Sequence, residues 1–226
     1  MSKKTLILLI FILVIATFFR LWKLNEIPPG LYPDVAINGN EALESLKTGN
    51  FKLFYPENNG REGLMMWLIA LSFSVFGVSI WSIKIVAATI GILTVLGLYL
   101  LTNELFSFNS PTIQQSGNPT IIALLSSFFL ATSFWHTNFS RIGFRAILLP
   151  FVLVFSFYFL FRGLRTKKNH NFIISGLFFG LGFYTYISYR FAILILPVIL
   201  IPFWLIYKKE GFQKKFILFT FYFLLF

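Results

Sequence analysis

The chain has no cysteine, only two histidines and only eight acidic residues in 226. Without cysteine it forms no disulfide, no thiolate metal site and no thiol nucleophile. Charged residues of both signs make up 12%, about half of what a soluble domain carries. What fills the space is apolar: 57% of residues are hydrophobic and 31 are Phe. Repeated apolar runs of bilayer length define an all-α polytopic membrane protein. In that setting the Phe residues are expected mostly to face lipid, and no aromatic stripe reads as a cofactor site. The net charge of +11 sits mainly at the ends of the apolar runs, where cations fix topology and meet anionic headgroups. No basic stripe lies elsewhere, which argues against nucleic acid as a partner.

The apolar runs are 5–22, 63–79, 81–102, 119–137, 144–161, 171–187 and 190–207, with an eighth beginning at Phe216. The first, preceded by Lys3 and Lys4, reads as an uncleaved signal anchor. Bulky Phe18, Phe19, Leu21 and Trp22 stand where a signal peptidase needs small residues. The chain stops at Phe226 inside an apolar run, so the expectation is a single domain over 1–226 truncated at its C-terminus. Two loops are strongly basic, Arg162 to Lys168 and Lys208 to Lys215. Both fall on the side of Lys3 and Lys4 only if one earlier run does not cross the membrane. The run 63–79 is among the shortest and has Gly63 and Gly77 near its ends. We therefore expect 23–80 to form one large external loop, with 63–79 lying along or dipping into the bilayer. Residues 138–145 and 186–190 become short external turns, and 103–118 a polar cytoplasmic linker.

Within the large loop, Pro28-Pro29-Gly30 ends the first helix. A short helix is expected over 35–47, with Val35, Ala36, Leu43 and Leu46 as its apolar positions and Asp34 at its N-cap. Asp34 has two readings: a capping residue, or a carboxylate at the membrane surface able to take a proton from an acceptor.

Five stretches occur in order: Pro28-Pro-Gly-Leu-Tyr-Pro-Asp34-x-Ala, Gly60-Arg-Glu-Gly-Leu-Met-Met-Trp67, Trp81-Ser-Ile-Lys84, Trp135-His-Thr-Asn-Phe-Ser-Arg141-Ile-Gly-Phe-Arg145 and Gly182-Phe-Tyr-Thr-Tyr-Ile-Ser-Tyr-Arg190. Together they resemble the N-terminal part of bacterial C-type glycosyltransferases of family 39, a group similar to protein O-mannosyltransferases and lipid A aminoarabinose transferases. The resemblance covers essentially all 226 residues but about the first half of such an enzyme. It implies a transmembrane helix bundle whose first external loop carries a catalytic Asp, here Asp34. Many relatives have Asp-Glu there; this chain has Asp34-Val35. Arg61 stands where relatives place a residue facing the lipid phosphate, and Lys84 where they usually carry Arg.

A polyprenyl-phosphate sugar puts a phosphodiester beside the hydrocarbon, and fixed cations there stabilise the leaving phosphate. Arg61, Lys84, Arg141 and Arg145 are the candidates. Arg141 and Arg145, four apart, would share a face if helical. For each cation the alternative is snorkelling to the headgroups. Tyr32, Glu62, His136, Tyr186 and Arg190 are candidate substrate contacts through the resemblance, His136 being equally readable as structural. His170, in a basic loop, carries no assignment. Related oligosaccharyltransferases bind a divalent metal through acids in the second external loop. That loop, His136 to Arg145, has no Asp or Glu here, so neither a metal nor another cofactor is expected.

The expected function is transfer of a sugar from a polyprenyl-phosphate donor to a protein, lipid or glycan acceptor at the extracytoplasmic face of the cell membrane. The N-terminus is then cytoplasmic and membrane lipids are the other partner. The rival readings are a transporter, which would need charge within its spans, and a non-catalytic scaffold or fragment.

Overall fold

The computed structural model describes residues 2–107, 118–195 and 198. Its elements in order are α1 (Lys3–Leu21), α2 (Pro33–Thr48), a two-residue hairpin of β1 (Phe54–Tyr55) and β2 (Arg61–Glu62), α3 (Leu64–Phe76), α4 (Ile80–Phe106), α5 (Pro119–Thr132), α6 (Phe134–Ile142), α7 (Leu148–Thr166) and α8 (Asn169–Leu181). Short 3-10 segments cover Arg145–Ile147, Gly182–Tyr184 and Ile187–Leu194. The protein is an all-α membrane protein. Helix α1, helix α4 and the stretch Arg145–Thr166 are long and apolar enough to cross a bilayer; α5 and α6 together are long and apolar enough for a fourth, but they are bent by 53° at their break, as in a broken span or a re-entrant loop.

Helices α1, α4 and α5 start on side-chain caps. Ser2 accepts from the Thr5 amide at 3.1 Å, Ser79 from the Ser82 amide at 3.0 Å, and Asn118 from the Thr120 amide at 3.0 Å, with Pro119 at the first helical position. Each satisfies an amide that the first turn leaves orphaned. Helix α4 is the central post, packed against α1, α3, α5, α6 and α7. Helices α7 and α8 are laced by a buried exchange: Ser156 Oγ donates to Ser175 O at 3.1 Å and Ser175 Oγ to Ser156 O at 2.7 Å. Phe155 and Phe159 stack on Phe178 at 5.4 and 6.1 Å. Part of the Phe content thus builds a helix interface instead of facing lipid.

Lys84 Nζ, at the start of α4, donates to Pro28 O at 2.7 Å, just beyond α1. The end of α1 and the start of α4 therefore lie at one end of the bundle, and the chain between them returns to where it left. Helix α3, 13 residues long, reaches about 20 Å against a hydrocarbon core of about 30 Å. It is mostly buried, between α2 and α4. The opposite end is marked by Glu104, where Arg165 Nη2 donates to Oε2 at 3.0 Å.

Two runs differ from expectation. The run 119–137 is not one span: α5 stops at Thr132 and α6 continues at an angle through 138–142, which were expected as a turn. The run 171–187 gives 13 residues of α-helix and then 3-10 turns. A Cβ at Gly182 would lie 1.9 Å from the Tyr189 ring, whose buried hydroxyl donates to Phe179 O at 2.7 Å. The chain folds back on itself there. Run 190–207 lies mostly, and the segment from Phe216 wholly, outside the described residues.

Candidate active site at the loop end of the bundle

Helix α2 begins two residues earlier than expected. Tyr32 occupies the N-cap, Pro33 the first helical position and Asp34 the first turn. Asp34 is therefore not the cap, and its carboxylate makes no cap bond. It is exposed, favoured there by the helix dipole, and its Oδ1 accepts from Asn58 Nδ2 at 2.8 Å. Asn58 lies in the β1–β2 turn, where Asn58, Asn59 and Gly60 all have positive φ.

The same hairpin is locked beneath α2. Arg61 is fully buried and bonds inward: Nη1 to Asn38 Oδ1 at 2.6 Å and Nε to Glu57 O at 3.3 Å. Its Nη2 lies 2.6 Å from Glu41 Oε1, as a contact of charges without good hydrogen-bond alignment. Burial pushes the Glu41 carboxyl above the ordinary carboxylate range, and the Arg61 charge pulls the other way. The face of α2 turned inward is Val35, Asn38, Gly39, Glu41, Ala42 and Ser45. Leu46, an expected apolar position, is exposed.

Three further cations gather at the end of α1 and bond to carbonyls, not carboxylates. Lys84, fully buried, takes Pro28 O and, at 3.5 Å, Leu24 O. Arg141 takes Phe19 O at 2.8 Å and Trp22 O and Ile27 O at 2.7 Å each. Arg20, fully buried, reaches the other way, to Ala131 O at 3.0 Å and Leu130 O at 3.3 Å at the α5–α6 break. Helix ends expose such carbonyls, carry partial negative charge and attract cations. Arg20 Nη2 also lies 2.8 Å from His136 Nδ1. An arginine only donates, so His136 carries its proton on Nε2. That nitrogen is buried and has no partner among the described residues. His136 thus faces the bundle interior.

Arg141 and Arg145 do not share a helix face. Gly143 adopts φ 95°, a left-handed conformation that ends α6 between them. Arg145 turns instead to Glu62, at 2.5 Å, with its guanidinium 5.0 Å from the Tyr186 ring. Arg190 stands on the far side of Glu62 at 3.7 Å, its side chain 62% exposed against 15% for Arg145. Tyr32, exposed beside Asp34, meets Phe144 edge-on at 5.0 Å, and Val35 packs against Gly143. A chain of contacts thus links Tyr32, beside Asp34, through Phe144 to Arg145, Tyr186, Glu62 and Arg190. Arg61, Lys84, Arg141 and His136 are turned into the protein. Among the described residues no three His, Asp or Glu side chains cluster as metal ligands.

Sequence reasoning did not single out Asn38, Glu41, Asn58 or Arg20. An arginine within an apolar run was the available signal for Arg20. For Glu41 and Asn38 the signal was their i, i+3 spacing on one side of α2.

These features define an all-α membrane protein with an exposed carboxylate, Asp34, and an exposed arginine, Arg190, at the loop end of the helix bundle. The family described as dolichyl-phosphate-mannose-protein mannosyltransferase matches residues 64–226. That is well over half of the chain, and the protein belongs to this family of membrane glycosyltransferases. Membership implies a lipid-phosphate sugar donor and a membrane setting. The match begins at the first residue of α3, so α2, the hairpin and Asp34 precede it. The chain matches none of the curated proteins with which it was compared.

Proposed function

We propose that this chain belongs to an integral-membrane glycosyltransferase of the bacterial family 39 type. It moves a sugar from a polyprenyl-phosphate carrier to an acceptor at the extracytoplasmic face, with Lys3 and Lys4 on the cytoplasmic side. The observation that carries the reading is the chain of contacts from Tyr32, beside Asp34, through Phe144 to the Arg145–Glu62–Arg190 group.

The reaction is an inverting displacement. An acceptor O–H or N–H approaches the anomeric carbon, Asp34 takes its proton, the new bond to carbon forms and the carbon–phosphate oxygen bond breaks. The electron pair leaves on the phosphate, whose charge rises from −1 towards −2. Arg190, 62% exposed, is the cation free enough to meet it, with Arg145 behind it, paired to Glu62. Arg61, Lys84 and Arg141 hold the scaffold: Arg61 fixes the hairpin that carries Asn58, and Asn58 holds Asp34. The acceptor stays undefined in class: protein, lipid or glycan.

The test is the whole protein in liposomes with labelled polyprenyl-phosphate hexoses, measuring released lipid phosphate. Asp34→Asn is expected to lower turnover by roughly 10²–10⁴-fold, the worth of a general base, with donor binding unchanged. Asn keeps the shape and can still bond Asn58. Full activity in Asp34→Asn overturns the assignment.

A further inference from the structure

We propose that residues 46–54 form a membrane-surface anchor, seated at the headgroup–acyl boundary of an anionic leaflet. After α2 closes on the left-handed Gly49, the chain shows large apolar side chains to the outside. Phe51 is 46% exposed, Leu53 60% and Phe54 52%, with Leu46 exposed on the last turn of α2. Lys47 and Lys52, also exposed, are interleaved with them. Apolar tips between lysines match a surface that is anionic outside and hydrocarbon beneath.

The backbone beneath those side chains is built to hold them out. Trp67 Nε1 donates to Lys52 O at 3.0 Å and the Gly63 amide to Leu53 O at 2.9 Å. A Cβ at position 63 would stand 2.4 Å from Lys52 O, so only glycine allows this approach. One residue on, Tyr55 is buried and its hydroxyl lies 2.6 Å from Ser45 Oγ. The segment is therefore clamped to the start of α3. Trp67, half-buried at that junction, is the residue type that sits at bilayer interfaces. Helix α3 also carries exposed Leu71, Val75 and Phe76.

The anchor has a consequence for the site, which rests on the function proposed above. The strand that leaves the tip runs into the turn holding Asn58, and Asn58 bonds Asp34. The depth of the tip would then set the height of the carboxylate over the bilayer. The docking itself does not depend on that function.

The test uses the absence of native cysteine. The whole protein, carrying Asn50→Cys or Glu57→Cys, is labelled with an environment-sensitive fluorophore and placed in phosphatidylcholine–phosphatidylglycerol vesicles. The label at position 50 is expected to be quenched by doxyl lipids and shielded from aqueous iodide, and the label at 57 the reverse. Adding Phe51→Ser and Leu53→Ser is expected to restore iodide access at 50. Equal iodide quenching at 50 and 57 overturns the proposal. So does shielding at 50 from both quenchers, which would mean that protein covers the tip. Neither readout involves sugar transfer, so an inactive enzyme with a quenched tip would sink only the functional reading.

Discussion

Replacing Arg61 by Ala separates a scaffold role from a phosphate-binding one. In the structure Arg61 is fully buried against Glu41 and Asn38. Its removal leaves the Glu41 carboxylate without its cation in a dry site. Breaking a buried pair from one side costs roughly 3–5 kcal/mol, whereas replacing both partners by apolar or neutral groups is often close to neutral. At about 2–4 °C per kcal/mol for a chain of this size, Arg61→Ala should lower the thermal midpoint by roughly 6–20 °C. The double change Arg61→Met with Glu41→Gln should recover most of it. The pH dependence has a definite sign. Burial already raises Glu41, and Arg61 opposes that shift. Without Arg61 the carboxyl rises further, so its neutral form is favoured in the folded protein. A raised acid loses folded-state stability as pH climbs from the unfolded value through the folded one. The deficit of Arg61→Ala should therefore be full at alkaline pH and shrink on acidification as Glu41 takes up a proton. The assay is thermal unfolding in detergent across pH, beside titration with a polyprenyl phosphate. An unchanged midpoint together with lost donor affinity would refute the scaffold argument and return Arg61 to the phosphate.

Other expectations are equally direct. Cysteine at Glu57 should react with an impermeant thiol reagent added outside the cell, and cysteine at Asn169 should not; labelling of position 169 from outside would invert the topology. Arg190→Ala removes an exposed cation, so stability should hold while donor affinity falls about ten- to hundredfold, the worth of a charge-assisted contact. Equal affinities would take Arg190 out of the site. Arg141→Ala strips three carbonyls near the end of α1, so thermal stability should fall more than donor affinity, and Arg141→Lys should restore only part because an ammonium lacks the planar fork. A stability unchanged in Arg141→Ala would show those bonds to be idle.

The spans were legible because bilayer length and basic flanks are strong, long-range signals. Parity singled out 63–79 as the run that does not cross, and its helix α3 has only 13 residues. The break at Ser133 was not legible, since no Pro or Gly marks it. Its free carbonyls are taken up by Arg20 from α1, a contact between residues more than a hundred apart in sequence. The inward face of α2 was legible in part: Val35 is buried and Leu43 packs against the core, but Leu46 is exposed. The polar half of that face was not, because Arg61, brought back by the hairpin, meets Asn38 and Glu41 there. The separation of Arg141 from Arg145 follows from one backbone angle at Gly143. Asp34 stood out by motif alone; its freedom from capping came from Tyr32 and Pro33 starting the helix early.

The exchange of arginines between α1 and the bent α5–α6 pair bears on how the protein is made. Helix α1 enters the bilayer before the carbonyls of Leu130 and Ala131 and the imidazole of His136 are synthesised. A lone arginine deep in a bilayer helix costs about 2.5–3.5 kcal/mol by insertion measurements. Near the end of α1, Arg20 escapes that cost at first by reaching for the headgroups. It can turn inward only once 119–142 has arrived and broken at Ser133. Arg141 of α6 then reaches back to α1, so each partner completes the other. The last turn of α1 thus matures late, after 119–142 is in place. A nascent chain arrested before Pro119 should show Arg20 at the membrane surface, and one released after Ile142 should show it withdrawn.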